Sequence, residues 1–447
     1  MSTVTNSPLS VAIASEAHLL HGAANDYDPL LEFIGDARFV LLGEATHGTH
    51  EFYRERAEIT KRLILEKGFT AVAVEADWPD AYRINRYVRG LDEDPTSERA
   101  LAGFERFPTW MWRNTDMLDF VDWLRGHNDF LPTSATNASQ VGFYGLDLYS
   151  LFTSTREVLD YLDKIDPEAA RHARARYSCF DHFQEDTQRY GYATSFDLSP
   201  SCEDEVIAQL QELRERETRY QDGQLAADEF FYAEQNARLV KNAEKYYRTM
   251  FKGRISSWNL RDQHMAETLE ALAAHLSKAS GKPAKIVVWE HNSHIGDARA
   301  TELGYKGEWN VGQLARERYH HDAVLVGFTT YEGTVTAASD WDGPAELKQV
   351  RPALPGSYEE AFHRTGLSRF LLPLRNSTVL PSTALLERAI GVIYAPATER
   401  QSHYFYAHLA QQFDMVLHFD QTQAVTPLEL NAHWEAGEAP ETYPVGI

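Results

Sequence analysis

Two short segments, Gly43-Glu44-Ala-Thr-His47-Gly48-Thr-His50-Glu51 and Trp289-Glu290-His291-Asn292-Ser293-His294, concentrate side chains able to move a proton near neutral pH. An imidazole is best suited to take a proton from water there, because its unperturbed pKa is roughly 6.5. Glu44, three residues before His47, is placed to fix the tautomer of that ring and to stabilise the imidazolium. His291 and His294 can lie on one side of a turn, where they would share that work or ligate a metal; otherwise they are hydrogen-bonded structural histidines. No G-x-S-x-G elbow and no HExxH occurs, so a standard serine hydrolase and a zincin are both disfavoured.

Both segments follow apolar runs. Phe39 to Glu44, Ala71 to Glu75, Val141 to Asp147 and Ile286 to His291 read as buried parallel strands, as do Ala323–Phe328, Ile390–Tyr394 and Met415–Phe419. In open α/β sheets ligands bind beyond the carboxyl ends of the strands. Those ends carry Glu44, Glu75, Asp147 and His291, either as a site or as caps of the next helices. After the first loop a helix is predicted to run to about Lys67, with Gly68 as its left-handed cap. Arg56 lies in the apolar stripe of that helix with Phe52, Ile59 and Leu63, so it either snorkels or needs a carboxylate, Glu44 or Glu75. Trp78, Trp110 and Trp112 offer flat faces for a bulky apolar or sugar-bearing substrate, or else pack in the core.

From Leu151 to about Ala279 the apolar runs stop and helical periodicity takes over, as in Glu203 to Arg219 and Asp228 to Met250. The expected fold is therefore α/β, a central mostly parallel sheet flanked by helices. Residues 1–150 form the first part of its core, 151–279 a helical insertion or lid, and 280–447 the second part. Hydrophobic residues at 43% and charged residues at 24% are ordinary for a globular chain. The formal charge of -23 opposes a nucleic-acid partner, which would need Lys and Arg against phosphates, and favours solubility or the steering of a cation. No apolar run is long enough to span a bilayer and no leader is evident, so a cytoplasmic protein with a short frayed start is expected. Two cysteines, Cys179 and Cys202, are too few for a disulfide framework and point to a reducing compartment; a cysteine nucleophile is not expected.

Taken together the residues resemble those of the erythromycin esterase family. The likeness rests on Gly43-Glu44-Ala-Thr-His47-Gly48 with Glu51 and Arg56, on Glu75-Ala-Asp-Trp-Pro79, on Trp110-x-Trp112 and on Gly145-Leu-Asp147-x-Tyr149. It continues through Asn259-x-Arg261-Asp262, Trp289-x-His291-Asn292-x-His294, Gly312-Gln-Leu314, Arg388-Ala-Ile-Gly391 and His403-Tyr404. The resemblance implies a hydrolase that opens macrolide lactones by activated water, without a covalent intermediate. Carried over by motif, His47 is the general base, Glu44 its orienting carboxylate, and Arg56, Glu75 and His291 the other catalytic groups. His294, Trp78, Trp110, Trp112, Asp147 and Tyr149 are the candidates for substrate contact. Glu290 stands where the resemblance implies a small residue, and adds a carboxylate beside the site. The partner expected is a small-molecule ester or lactone, with no cofactor. The alternatives are a Zn²⁺- or Mn²⁺-dependent hydrolase using the same His/Glu cluster, and a non-catalytic binding protein on a hydrolase fold.

Overall fold

The computed structural model describes residues 7–91, 94–131, 140–183, 185–221 and 223–430. Of the expected frayed start, Met1 to Asn6 lie outside the described residues, while Ser7 caps a helix over Pro8–Glu16. The strands are β1 (His18–Leu19), β2 (Phe39–Leu42), β3 (Ala71–Asp77), β4 (Gly142–Asp147), β5 (Ile286–Trp289) and β6 (Ala323–Ala337). They continue as β7 (Glu346–Val350), β8 (Arg369–Pro373), β9 (Leu385–Arg388), β10 (Tyr404–Ala407) and β11 (Met415–Thr422).

The main sheet runs β1-β8-β11-β6-β2-β5-β3-β4, with β7 added on β6; β9 and β10 form a separate pair. From β11 to β4 every pairing is parallel, and the antiparallel ones are β1 on β8, β8 on β11 and β7 on β6. The α/β class expected from the sequence is therefore present. Strands buried on both faces need apolar residues at consecutive positions, and β2 shows the reason. Phe39 and Leu41 enter one core, Val40 and Leu42 the other, and β3 and β5 divide in the same way. The first core is covered by helices between β4 and β5, through Val158 and Leu162, Leu239 and Val240, and Met265 and Leu269. The second is covered by the helices His50–Lys67 (Phe52, Ile59, Leu63) and Thr115–Asp129 (Phe120, Leu124). Gly68 closes the first of these in the left-handed conformation at φ 72°, as expected.

Two expectations need correction. Ile390–Tyr394 is no strand of the sheet: Ile390 and Tyr394 bury with Val335, Ala337 and Val350 in a small satellite core, and the segment makes only single bridges, Ile390 to Thr46 and Ile393 to Ala338. An apolar run reports burial, and burial here comes from packing above the sheet. Cys179 and Cys202 are joined in a disulfide, their Cα atoms 5.9 Å apart. The thiol argument for a reducing compartment is thereby removed. Among the described residues no helix is long and apolar enough to cross a membrane.

The strand order also sets the position of the site. The chain lays down β2 and β3 with a gap between them, adds β4, runs through helices from Leu151 to Ser280, and only then inserts β5 into the gap. The loops after β2, β3 and β5 thus emerge side by side at the carboxyl edge, where such sheets bind ligands.

Candidate active site

The loop after β2 is fixed from several sides. Gly43 N–H donates to Val326 O at 2.8 Å, Ile390 N–H to Ala45 O at 2.8 Å, and Asn292 N–H to Glu44 O at 2.8 Å. Its glycines permit close approach. A Cβ on Gly43 would lie 2.1 Å from Asn292 Oδ1, and one on Gly48 1.8 Å from the backbone oxygen of Thr336. Asn292 cannot retreat easily, since its side chain bonds both the N–H and the C=O of Phe328. Gly48→Ala is therefore expected to cost about 2–3 kcal/mol or more, read as an earlier chemical-unfolding midpoint at unchanged slope. An unaltered midpoint would show that the loop is looser than described.

Glu44, fully buried, faces His47 and Arg56. Its Oε1 lies 2.9 Å from His47 Nδ1 and its Oε2 2.6 Å from Arg56 Nη2. Arg56 thus has the carboxylate its place in an apolar stripe demands, and its guanidinium lies 4.6 Å from the Tyr53 ring and 5.0 Å from the Trp289 ring. Tyr53 Oη donates to the His47 carbonyl at 2.9 Å and to the Met111 carbonyl at 2.7 Å. With Nδ1–H given to Glu44, His47 presents the bare Nε2 lone pair, 3.9 Å from Glu75 Oε1.

His291 is arranged the opposite way. Its Nδ1 accepts from the Ser293 N–H at 3.2 Å and lies 2.8 Å from Ser293 Oγ, so the ring carries its proton on Nε2. That Nε2 has no hydrogen-bond partner among the described residues, and the ring centre lies 4.9 Å from that of His47. Burial, reinforced by His47, pushes the His291 pKa down to about 3, so the ring is neutral at physiological pH. One imidazole accepts and its neighbour donates.

Glu75 ties the loops together: Oε2 accepts the His291 N–H at 2.9 Å, and Oε1 accepts from Arg261 Nη2 at 2.7 Å. Burial opposes its charge, but His294, His47 and Arg261 hold its carboxyl well below the usual range. Arg261 also grips Asp147 with Nε at 3.0 Å and Nη2 at 2.6 Å, and its Nη1 lies 3.0 Å from His294 Nε2. His294 Nδ1 faces Asp262 Oδ1 at 2.9 Å. Burial disfavours charge on His294, yet Asp262 and Glu75 outweigh it and raise its pKa.

The sequence-predicted residues Glu44, His47, Arg56, Glu75, His291, His294 and Asp147 therefore gather in one place. Tyr149 joins them at one remove, under the Arg261 guanidinium at 5.0 Å. The three tryptophans do not. Trp78 is 1% exposed and stacks among Tyr82, Tyr144 and Tyr232; Trp110 and Trp112 are core residues, Trp112 packing edge-on against Tyr53. Their substrate-contact reading is corrected to packing that holds the loops. The ring at the site is Trp258, parallel to His294 at 4.5 Å. Trp258, Arg261 and Asp262 stand on the helix Arg254–Ser280, where the sequence reading assigned no function; their signal was an aromatic, a cation and an acid on one turn. Burial, with Glu75 and Asp262 nearby, pushes the Glu290 carboxyl well above its ordinary value. Each Nδ1 of the three imidazoles is already engaged, and no group of three or more His, Cys, Asp or Glu among the described residues is placed to hold a metal ion.

A family model described as erythromycin esterase matches residues 64–422, beginning after the Glu44–His47 loop. The chain is 22% identical over 374 residues to erythromycin esterase type II of Escherichia coli, covering 79% of this chain and 84% of that one. It is 22% identical over 327 residues to the putative hydrolase YbfO of Bacillus subtilis (strain 168), covering 68% and 67%. Among solved structures, a Bacillus cereus protein superposes with a TM-score of 0.76 at 22% identity, over 94% of this chain and 98% of that one. A mutant of the erythromycin esterase EreC, in its open conformation, superposes at 0.63 with 16% identity, over 91% and 96%.

Proposed function

This chain belongs to the erythromycin esterase family, a family of hydrolases, and from that premise we propose that it cleaves a carboxylic ester or macrolide lactone with water as nucleophile. The observation that carries the reading is the opposed pair of imidazoles, a bare Nε2 on His47 and a protonated, unpartnered Nε2 on neutral His291. A water between His47 Nε2 and Glu75 Oε1 gives one hydrogen to each and turns its lone pairs toward the carbonyl. As oxygen attacks, His47 takes the proton, and its imidazolium is stabilised by Glu44, itself anchored by Arg56. The carbonyl oxygen becomes an alkoxide beside the His291 Nε2–H, a donor that needs no reorganisation. Collapse of the tetrahedral centre breaks the C–O bond, and the departing alkoxide recovers the proton from His47. The products are a carboxylic acid and an alcohol, on one chain when the substrate is a lactone.

Arg56, one of the catalytic groups the resemblance implies, serves this scheme from behind Glu44, because its guanidinium is completely buried there. Incubating the purified protein with a panel of macrolides and simple lactones is expected to give a mass gain of one water on at least one of them. The reading would be abandoned if no panel member and no simple carboxylic ester gained water.

A further inference from the structure

The disulfide stands in the helical insertion, far along the chain from either histidine loop, yet packing connects it to them. Cys179 belongs to the short helical turn Ser178–Phe183, and Cys202 directly precedes the helix Glu203–Glu215. The bond closes a loop of chain that carries the helix Thr187–Ser195. Its two arms converge on one side chain. Phe180 and Phe183 pack edge-on against the Tyr190 ring at 5.2 and 5.0 Å, and the Cys202 N–H donates to Tyr190 Oη at 3.0 Å. Tyr190, fully buried, donates in turn to the buried Glu244 Oε1 at 2.6 Å, on the helix Gln224–Thr249. Two routes lead from this knot to the catalytic cluster. One turn beyond Glu244, Tyr247 Oη donates to the Tyr149 carbonyl at 3.1 Å, while Tyr246 stands edge-on to the Tyr149 ring at 5.5 Å. On the other side Phe180, next to Cys179, meets Phe152 edge-on at 6.0 Å, one turn after Tyr149. Tyr149 lies under the Arg261 guanidinium that holds Glu75 and Asp147.

The sulfurs are unequally placed: Cys202 is 1% exposed, whereas Cys179 is half-buried. We propose that Cys179 and Cys202 form a reversible redox site for a dithiol reductant, and that opening it frees the arms around Tyr190 and slackens the Tyr149 support of Arg261. A thiolate of the reductant attacks Cys179 Sγ to form a mixed disulfide, and the electron pair of the broken S–S bond leaves on Cys202 Sγ, which takes a proton. The second thiol of the reductant then displaces Cys179, which is protonated in its turn. The protein has gained two electrons and two protons, and the dithiol has become a disulfide. Without the covalent tie the arms rest on non-covalent contacts alone, so the helix between them opens at lower cost. The redox site stands on the insertion alone; only its effect on turnover rests on the ester-hydrolase reading.

Two measurements separate these claims. In the first, the folded protein is equilibrated with mixtures of reduced and oxidised dithiothreitol, its thiols are trapped with N-ethylmaleimide, and hydrogen exchange is followed by mass spectrometry. Both cysteines are expected to become labelled in one transition. Exchange in the reduced protein is expected to be about tenfold faster across Thr187–Ser195, faster also in peptides containing Tyr149 and Arg261, and unchanged in Phe39–Leu42. Labelling of both cysteines in the oxidised protein, or reduction only after denaturation, would overturn the site. Faster exchange confined to Thr187–Ser195 would overturn its reach to Arg261. In the second measurement, kcat/KM for an ester or lactone that the protein hydrolyses is expected to fall about fivefold on reduction and to return on reoxidation. The double variant Cys179→Ala with Cys202→Ala is expected to match the reduced protein and to ignore dithiothreitol; reduced and reoxidised wild type carry the test where that variant does not fold. Turnover indifferent to reduction would remove the switch from catalysis. A full exchange response in a protein that hydrolyses no ester would count against the hydrolytic reading and leave the redox site standing.

Discussion

His47→Asn is expected to lower kcat/KM for any ester the protein cleaves on the order of 10³-fold, with little change in stability. An amide has nearly the ring's volume and can still donate to Glu44, but it has no lone pair able to take a proton from water. The Glu44–Arg56 pair at 2.6 Å survives the change, so no buried charge is orphaned. The measurement is kcat/KM across pH alongside a denaturation curve. Turnover within tenfold of wild type would take His47 out of the proton path, and a collapsed denaturation midpoint would move its role from chemistry to folding. His291→Gln, which keeps an N–H, is the informative companion: a donor role tolerates it better than His291→Ala, whereas a base role tolerates neither.

The second large effect is on Arg261. Replacing it with methionine leaves Glu75 and Asp147 facing each other across a buried space that one guanidinium now neutralises. Stranding buried charges of this kind costs about 3–5 kcal/mol. The pH dependence gives the expectation its signature. Glu75 is held below its unfolded value, so its contribution is present above the ordinary glutamate pKa of about 4.3 and disappears as the pH falls through the lower folded value. Without Arg261 that contribution shrinks. The stability gap between wild type and variant should therefore be widest near neutral pH and narrow in acid. A gap independent of pH would mean that Arg261 acts by packing. Arg261→Lys should recover part of the charge but not the fork that spans two carboxylates.

Arg261 also marks the limit of what the sequence discloses. Strands β2 to β6 and β11 are legible because a strand covered on both faces must be apolar at every position, and Phe39 to Leu42 and Ile286 to Trp289 are. The ionisable residues at their ends are legible for the same reason: a charge directly after such a run is out of place unless something uses it. Arg261 has no such contrast. It stands on a long helix among Gln, Glu and Asp, where a cation ordinarily faces water, and only the tertiary fold turns that face inward. The aromatic residues mislead in the other direction. Trp78 follows a strand end, yet its position at the head of the helix Trp78–Val88 points it into the core against Tyr144, while the ring that meets a histidine comes from a remote helix. Ile390–Tyr394 shows that apolar content registers burial without naming the partner.

The late arrival of β5 bears on how the molecule is made. Synthesis proceeds from the N-terminus, so a nascent chain that has passed β2, β3 and β4 holds strands whose central neighbour does not yet exist. Until Ile286 leaves the ribosome, β2 and β3 each present an unpaired hydrophobic edge. Such edges are where transient association and chaperone capture occur, and closing parallel pairs across so long a span is slow. Joining the two histidine loops thus waits for β5, with β6, β8 and β11 still to be added to the sheet, and a chain stalled before that point is exposed to aggregation as well as inert.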